Sequence, residues 1–195
     1  VRDEPQMQPD APHADDRQFK ADLIGSIQSL RAFAISLVGR TDRADDLVQE
    51  TLTKAWQHRR SYQMGTNMAA WLFTILRNEF YTQIRKRKRE VEDADGAIAA
   101  KVASHPEQHG HMDLTDMQTA LMKLPVDQRE AVLLVSASDM SYEEAAAICG
   151  VAVGTIKSRV NRGRSKLAEL LKLNQGGEFG PDADFQAAVA ASAAE

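Results

Sequence analysis

Lys157, Ser158, Asn161 and Arg162 recur at the spacing of one helical turn, so on a helix they share one outward face. Asparagine and arginine can pair two hydrogen bonds with adenine and guanine respectively, which gives this face the capacity to read base edges in a major groove. Lysine adds attraction for phosphate, which positions a protein on DNA without reading its sequence. Ile156 and Val160, also one turn apart, face the opposite way and would anchor the helix. A second constellation lies earlier in the chain, where Trp71, Thr74, Asn78, Tyr81 and Arg85 fall on one helical stripe. Such a mixture of aromatic, amide and cationic groups suits unpaired DNA, because stacking on an aromatic ring contributes about 1–3 kcal/mol per base and amides bond to exposed base edges. No nucleophile triad, phosphate-binding glycine loop or metal-ligand cluster appears, so no catalytic chemistry is assigned and no cofactor or metal is expected. His105, His109 and His111 lie close in sequence but lack the cysteines or carboxylates that would complete a metal site.

The charge distribution agrees with two DNA-facing surfaces. The net charge is only -4, yet the cations are segregated. From Trp71 to Arg89 there are six basic residues (Arg77, Arg85, Lys86, Arg87, Lys88, Arg89) against the single acid Glu79. From Val151 to Leu167 there are five (Lys157, Arg159, Arg162, Arg164, Lys166) and no acid. Fields decay over about 8 Å at physiological salt, so these patches matter more than the total. With 43% hydrophobic and 27% charged residues the composition is that of a folded globular protein. No apolar run reaches the roughly 18 residues of a membrane span, and the polar, proline-containing start lacks a signal peptide's apolar stretch, so a cytoplasmic protein without membrane contact is expected. Cys149 is the only cysteine, which excludes an intramolecular disulfide and points to core packing.

Helices must position these groups, and the apolar spacing supplies them. Residues 1–18 read as a disordered tail. Leu23, Ile27, Leu30, Ala34 and Leu37 predict one helix from Ala21 to near Gly39. Thr41 is the expected cap of the next, whose inward stripe is Leu47, Val48, Thr51, Leu52, Ala55 and Trp56. Ser61 to Asn67 reads as a loop, and a third helix follows with Met68, Leu72, Ile75 and Leu76 inward. Residues 90–112, acidic and interrupted by Gly96, Pro106 and Gly110, read as a flexible linker. Beyond it come a helix with Met117, Leu121 and Leu124 on one face, a second with Pro125 in its first turn and Ala131, Val132 and Val135 inward, then a capping box from Ser141 to Glu144. That box opens a short helix, Tyr142 to Cys149; Gly150 allows a left-handed turn, and a basic helix runs from Val153 to Leu171, which is a helix-turn-helix pattern. Residues 174–195 form a polar, then alanine-rich tail, in which Phe185 to Ala194 suits a marginal helix. The predicted fold class is all-α: two small helical domains, 19–89 and 113–173, joined by the acidic linker.

The segment LPVDQREAVLL (Leu124 to Leu134) followed by SYEEAAAICGVAVGTIKSRVNRGRSKL resembles the second DNA-binding domain of extracytoplasmic-function sigma factors of the sigma-70 family. DDLVQETLTKAW (Asp45 to Trp56) resembles the family's polymerase-binding helix, and WLFTILRNEFYTQIRKRKR (Trp71 to Arg89) resembles its promoter-melting segment. The resemblance spans about Phe19 to Leu173. It implies a non-enzymatic initiation factor with core RNA polymerase and promoter DNA as partners. The implied contacts to the -35 element are Thr155, Lys157, Ser158, Arg159, Asn161 and Arg162; those to the -10 element are Trp71, Asn78, Tyr81, Arg85, Lys86 and Lys88. Asp45, Asp46, Gln49, Glu50 and Thr53 would face core polymerase, and the loop Tyr62 to Asn67 would help to form a flipped-base pocket. Two positions depart from the common pattern: Ala152, where many members have a capping serine, and Thr82, where many have an aspartate. FTILRNEFYTQIRKRKR is most similar to the alphaproteobacterial general stress response subgroup, in which a small anti-sigma factor sequesters the protein and a response regulator releases it. A one-component regulator would leave the Trp71 to Arg89 stripe unexplained, and a sigma mimic would have no need of two basic faces.

Overall fold

Leucines, alanines and aromatic residues at helical spacing produce eight α-helices and no strand among the residues described. The structure, a computed structural model, describes the backbone of residues 14–93 and 114–171 and the side chains of 16–89 and 116–171. The first half holds α1 (Ala14–Gly25), α2 (Ile27–Val38), α3 (Thr41–Gln57), a single 3-10 turn (Arg59–Ser61) and α4 (Met68–Asp93). The second holds α5 (Leu114–Met122), α6 (Val126–Val132), a π-helical turn (Leu133–Ala137), α7 (Tyr142–Cys149) and α8 (Val153–Leu170).

Two cores meet along α2. Leu47, Val48 and Ala55 of α3 and Leu72, Phe73 and Leu76 of α4 pack with Leu30, Phe33 and Leu37, and the Phe33 and Phe73 rings lie 4.8 Å apart. Residues 32–37 of α2 are all buried because α5, α6 and the π-helical turn cover the side that α3 leaves open. In the second half Leu121, Leu124, Val132, Leu133, Leu134, Ile156 and Val160 form the core. Gly163 lets α8 press against α6: a Cβ there would lie 2.6 Å from Val132 Cγ2. The Ser141–Glu144 capping box forms in both directions, and Gly150 ends α7 at φ 65°, where any side chain would strain the turn. Cys149 is buried, and burial pushes its thiol up to about 12.

Several local expectations are corrected. The helix expected from Ala21 to Gly39 is interrupted at Ser26, whose N–H is shared between the Asp22 and Leu23 carbonyls at 3.1 and 3.2 Å while its Oγ also donates to the Asp22 carbonyl at 2.8 Å, a back-bond that bends helices. Helix begins at Ala14, inside the expected 1–18 tail, because Phe19 and Leu23 bury one face of α1. Thr41 is the first residue of α3 and does not cap it; Arg40 holds that position without a side-chain hydrogen bond. Trp56 is 42% exposed; Thr51 and Ala55 occupy the inward side, and the indole stacks under the Arg59 guanidinium at 4.8 Å. Pro125 stands one residue before the first turn of α6, and α4 continues past Arg89 to Asp93. Most of the expected linker, its three histidines, the C-terminal tail and its marginal helix lie outside the described residues. No single described helix is long and apolar enough to cross a membrane.

Candidate nucleic-acid interface

α8 displays its polar face because Ile156, Val160 and Leu167 bind the opposite face into the core. Lys157, Ser158, Asn161 and Arg162 are exposed, while Thr155 and Arg159 are half-buried. The face is pre-arranged by contacts within its own half. The Arg162 guanidinium donates to the Ser158 carbonyl at 3.3 Å and hydroxyl at 3.2 Å. Arg159 pairs with Asp127 at 3.1 Å, and Lys157 Nζ lies 5.7 Å from the centre of the Tyr142 ring. Arg159, Arg162 and Lys157 thus have partners within this half, bonds that a contacting ligand would exchange for its own. The start of α8 has no side-chain cap, since Ala152 occupies the N-cap position.

On α4, Leu72, Phe73, Leu76 and Phe80 face the core, leaving Asn78 and Arg85 to Arg89 exposed. Thr82, at the position of the expected aspartate, accepts from Arg85 Nη2 at 3.2 Å and donates to the Asn78 carbonyl at 2.8 Å. The two aromatic members of the stripe are half-buried. Trp71 belongs to a ring cluster with Tyr62 at 5.2 Å and Phe19 at 6.0 Å. The Tyr62 hydroxyl donates to the Thr66 carbonyl at 2.7 Å, which shapes the loop before α4, and Asn67 Oδ1 accepts from the Ala70 N–H at 3.1 Å. Tyr81 donates its hydroxyl to Glu130 of α6 at 3.1 Å; burial, then the Glu130 charge, push its phenol up to about 12. Neither the α1 helix nor the engagement of Tyr81 by the second half follows from the spacing of the stripe. The i, i+4 pair Phe19 and Leu23 was the available signal for α1.

On α3, Asp45, Asp46, Gln49, Glu50 and Thr53 are all exposed on one acidic face. Arg31 holds Asp45 at 2.7 Å, and Lys54 bridges Glu50 on this face to the buried Glu79 of α4. Among the described residues, no group of three or more His, Cys, Asp or Glu side chains forms a metal-holding cluster.

Two family models match the chain: Sigma-70 region 2 over residues 26–90 and Sigma-70, region 4 over residues 114–167. The chain is 57% identical over 171 residues to the ECF RNA polymerase sigma factor EcfG of Rhodopseudomonas palustris (strain TIE-1), covering 88% of this chain and 94% of the relative. It is 31% identical over 140 residues to the ECF RNA polymerase sigma factor SigM of Bacillus subtilis (strain 168), covering 71% of this chain and 85% of that one. Among solved structures it is similar to the sigma factor RpoE in complex with the anti-sigma factor NepR from Bartonella quintana, at 58% identity and a TM-score of 0.73, over 82% of this chain and 99% of that chain. Exposed basic helices, an acidic face on α3 and both family regions coincide, and the chain belongs to the sigma-70 family as an extracytoplasmic-function RNA polymerase sigma factor, a transcription initiation factor and not an enzyme.

Proposed function

We propose that this sigma factor directs a general stress response from the cytoplasm. In this reading α8 reads the -35 element with Thr155, Lys157, Ser158, Arg159, Asn161 and Arg162, and α4 opens and reads the -10 element with Trp71, Asn78, Tyr81, Arg85, Lys86 and Lys88. Asp45, Asp46, Gln49, Glu50 and Thr53 on α3 dock on core polymerase. The -10 unit comprises residues 19–89 and the -35 unit residues 113–173. The observation that carries this reading is the exposure of two basic clusters, Arg85 to Arg89 around the last turns of α4 with described side chains, and Lys157, Asn161 and Arg162 on the outward face of α8. One face offers paired hydrogen bonds for duplex base edges, and the other joins cations to an amide and rings suited to opened strand. The solved relative from Bartonella quintana is in complex with an anti-sigma factor, which supports a small anti-sigma protein as a partner of this chain.

Run-off transcription with core RNA polymerase on a promoter library tests the assignment. Transcripts should start from templates that share two sequence blocks at fixed spacing. Symmetric half-site footprints in the absence of polymerase, with no transcript, would overturn it.

A further inference from the structure

The helix α1 lies before the segment matched by Sigma-70 region 2, which begins at residue 26, yet it carries a ring into the middle of the first half. Phe19 is 3% exposed. It stands among three rings from different elements: Trp56 in the last turn of α3 at 6.2 Å, Tyr62 at 5.7 Å, and Trp71 near the start of α4 at 6.0 Å. Tyr62 and Trp71 also meet each other at 5.2 Å, so Phe19, Tyr62 and Trp71 form a closed triangle. A second tie joins α1 to the turn before Tyr62, where Asp16 Oδ1 accepts from Arg59 Nε at 3.3 Å and the Arg59 guanidinium covers the Trp56 ring at 4.8 Å.

Tyr62 opens the loop that leads into α4, and in that loop it alone is buried; residues 63–67 are exposed. The loop is ordered from within. Thr66 donates its N–H at 3.2 Å and its hydroxyl at 2.7 Å to the Gln63 carbonyl, Gly65 turns the chain at φ 85°, and the Tyr62 hydroxyl donates to the Thr66 carbonyl at 2.7 Å. These bonds fix the loop's shape, whereas its place depends on its ends. The far end is tied by Asn67, which bonds to the Ala70 N–H and to Glu144 Oε1. The near end is set by the 3-10 turn and by the Tyr62 ring, which rests between Phe19 and Trp71. Aromatic pairs favour particular offset and edge-on orientations, so Phe19 limits the directions in which Tyr62, and with it the Thr66 carbonyl, can point. A supporting side chain of this kind acts by preorganisation: it removes in advance arrangements that a binding surface would otherwise have to give up on contact.

We propose that Phe19 is a positioning residue for the -10 surface: from α1 it fixes the Tyr62 ring, and thereby the loop Tyr62 to Asn67 beside Trp71 at the head of the melting stripe. It contacts no DNA itself. Its effect is on discrimination, since a loop free to shift would accept more than one unpaired base. The functional part of this inference rests on the -10 reading of α4 and its preceding loop; the fixing of the loop by Phe19 does not.

Two measurements on the full-length chain test the two parts separately. A nitroxide on a cysteine at the exposed position Met64, in a chain carrying Cys149→Ala, reports the motion of the loop tip. Phe19→Ala should sharpen its paramagnetic resonance lines, whereas Leu23→Ala, which removes a buried side chain from the same face of α1, should leave them as in the parent. Lines unchanged in both variants, or equally sharpened in both, overturn the positioning role. In the chain with its native Met64 and Cys149, joined to core RNA polymerase, permanganate reactivity of unpaired thymines follows opening of promoters that differ at single positions of the -10 element. Phe19→Ala should lower the preference for the best base over its substitutes by about three- to tenfold, the range of one aromatic pair, while core binding and -35 duplex binding stay within about twofold. Phe19→Leu, which keeps apolar bulk without the ring, should lie between the parent and the alanine variant, and it decides by the same two readouts if Phe19→Ala does not fold. An unchanged preference, or a loss shared equally by preferred and substituted promoters, overturns the effect on discrimination. If the parent opens no promoter, the -10 reading of α4 fails, and the nitroxide still decides whether Phe19 holds the loop.

Discussion

Arg162 and Asn78 are both exposed, yet they stand in different settings. Arg162 donates to the Ser158 carbonyl and hydroxyl one turn back on its own helix, bonds that contact with DNA would replace. Replacing it with alanine should cost about 1–3 kcal/mol in binding to promoter duplex and relax preference at one base pair of the -35 element, read by competition against scrambled duplex. An equal loss on scrambled duplex would assign Arg162 to phosphate. Asn78 projects from α4 between two turns of the melting stripe, and its carbonyl, not its amide, is the group bound by Thr82. Asn78→Ala should reduce permanganate reactivity of unpaired thymines several-fold while closed-complex binding stays within about twofold. Unaltered reactivity would remove Asn78 from the melting surface.

Among the helices, α8 and α7 illustrate opposite treatments of an N-terminus. The start of α8 has extended N-cap geometry but an alanine that leaves its first N–H groups without a side-chain acceptor. Ala152→Ser should therefore stabilise the chain by about 1 kcal/mol, measured by urea denaturation. α7, in contrast, has both bonds of its capping box, and the Ser141 backbone N–H, followed by Asn67 and Ser141 Oγ, holds the Glu144 carboxyl below its ordinary value of 4.5. A lowered carboxylate stabilises the folded state above pH 4.5 and loses that contribution as pH falls through its folded value. Acid denaturation of Glu144→Gln should accordingly be less steep than that of the parent below pH 4.5. Parallel acid profiles would show that the capping carboxylate is not linked to folding.

For the complete protein, the small net negative charge conceals two cationic surfaces that meet nucleic acid in different forms. Phosphate neutralisation releases counterions, so removing one phosphate contact lowers the salt dependence of binding by a fixed increment. Lys88→Ala should weaken binding to all promoter templates to a similar extent and reduce the slope of log affinity against log salt by about 1. A slope identical to that of the parent would place Lys88 away from the DNA backbone. Between the two halves Arg129 and Glu130 of α6 are buried, with Glu130 2.8 Å from Arg77 and 3.1 Å from the Tyr81 hydroxyl of α4.

Periodicity and local chemistry were enough to identify the all-α class, the capping box of α7, the Gly150 turn, the buried Ile156 and Val160, and the outward faces of α3 and α8. Each depends on residues within one or two helical turns, where spacing translates directly into direction. The start of α1 at Ala14 and the exposure of Trp56 needed the packed core, because Phe19 becomes buried only where Trp56, Tyr62 and Trp71 come together from distant positions. The joining of Glu130 to Arg77 and Tyr81 was equally hidden. In sequence Arg129 and Glu130 are an ordinary charged pair on a helix. Tertiary structure alone decides that they leave water, because burial of a charge depends on which surface the other half of the chain lays over it.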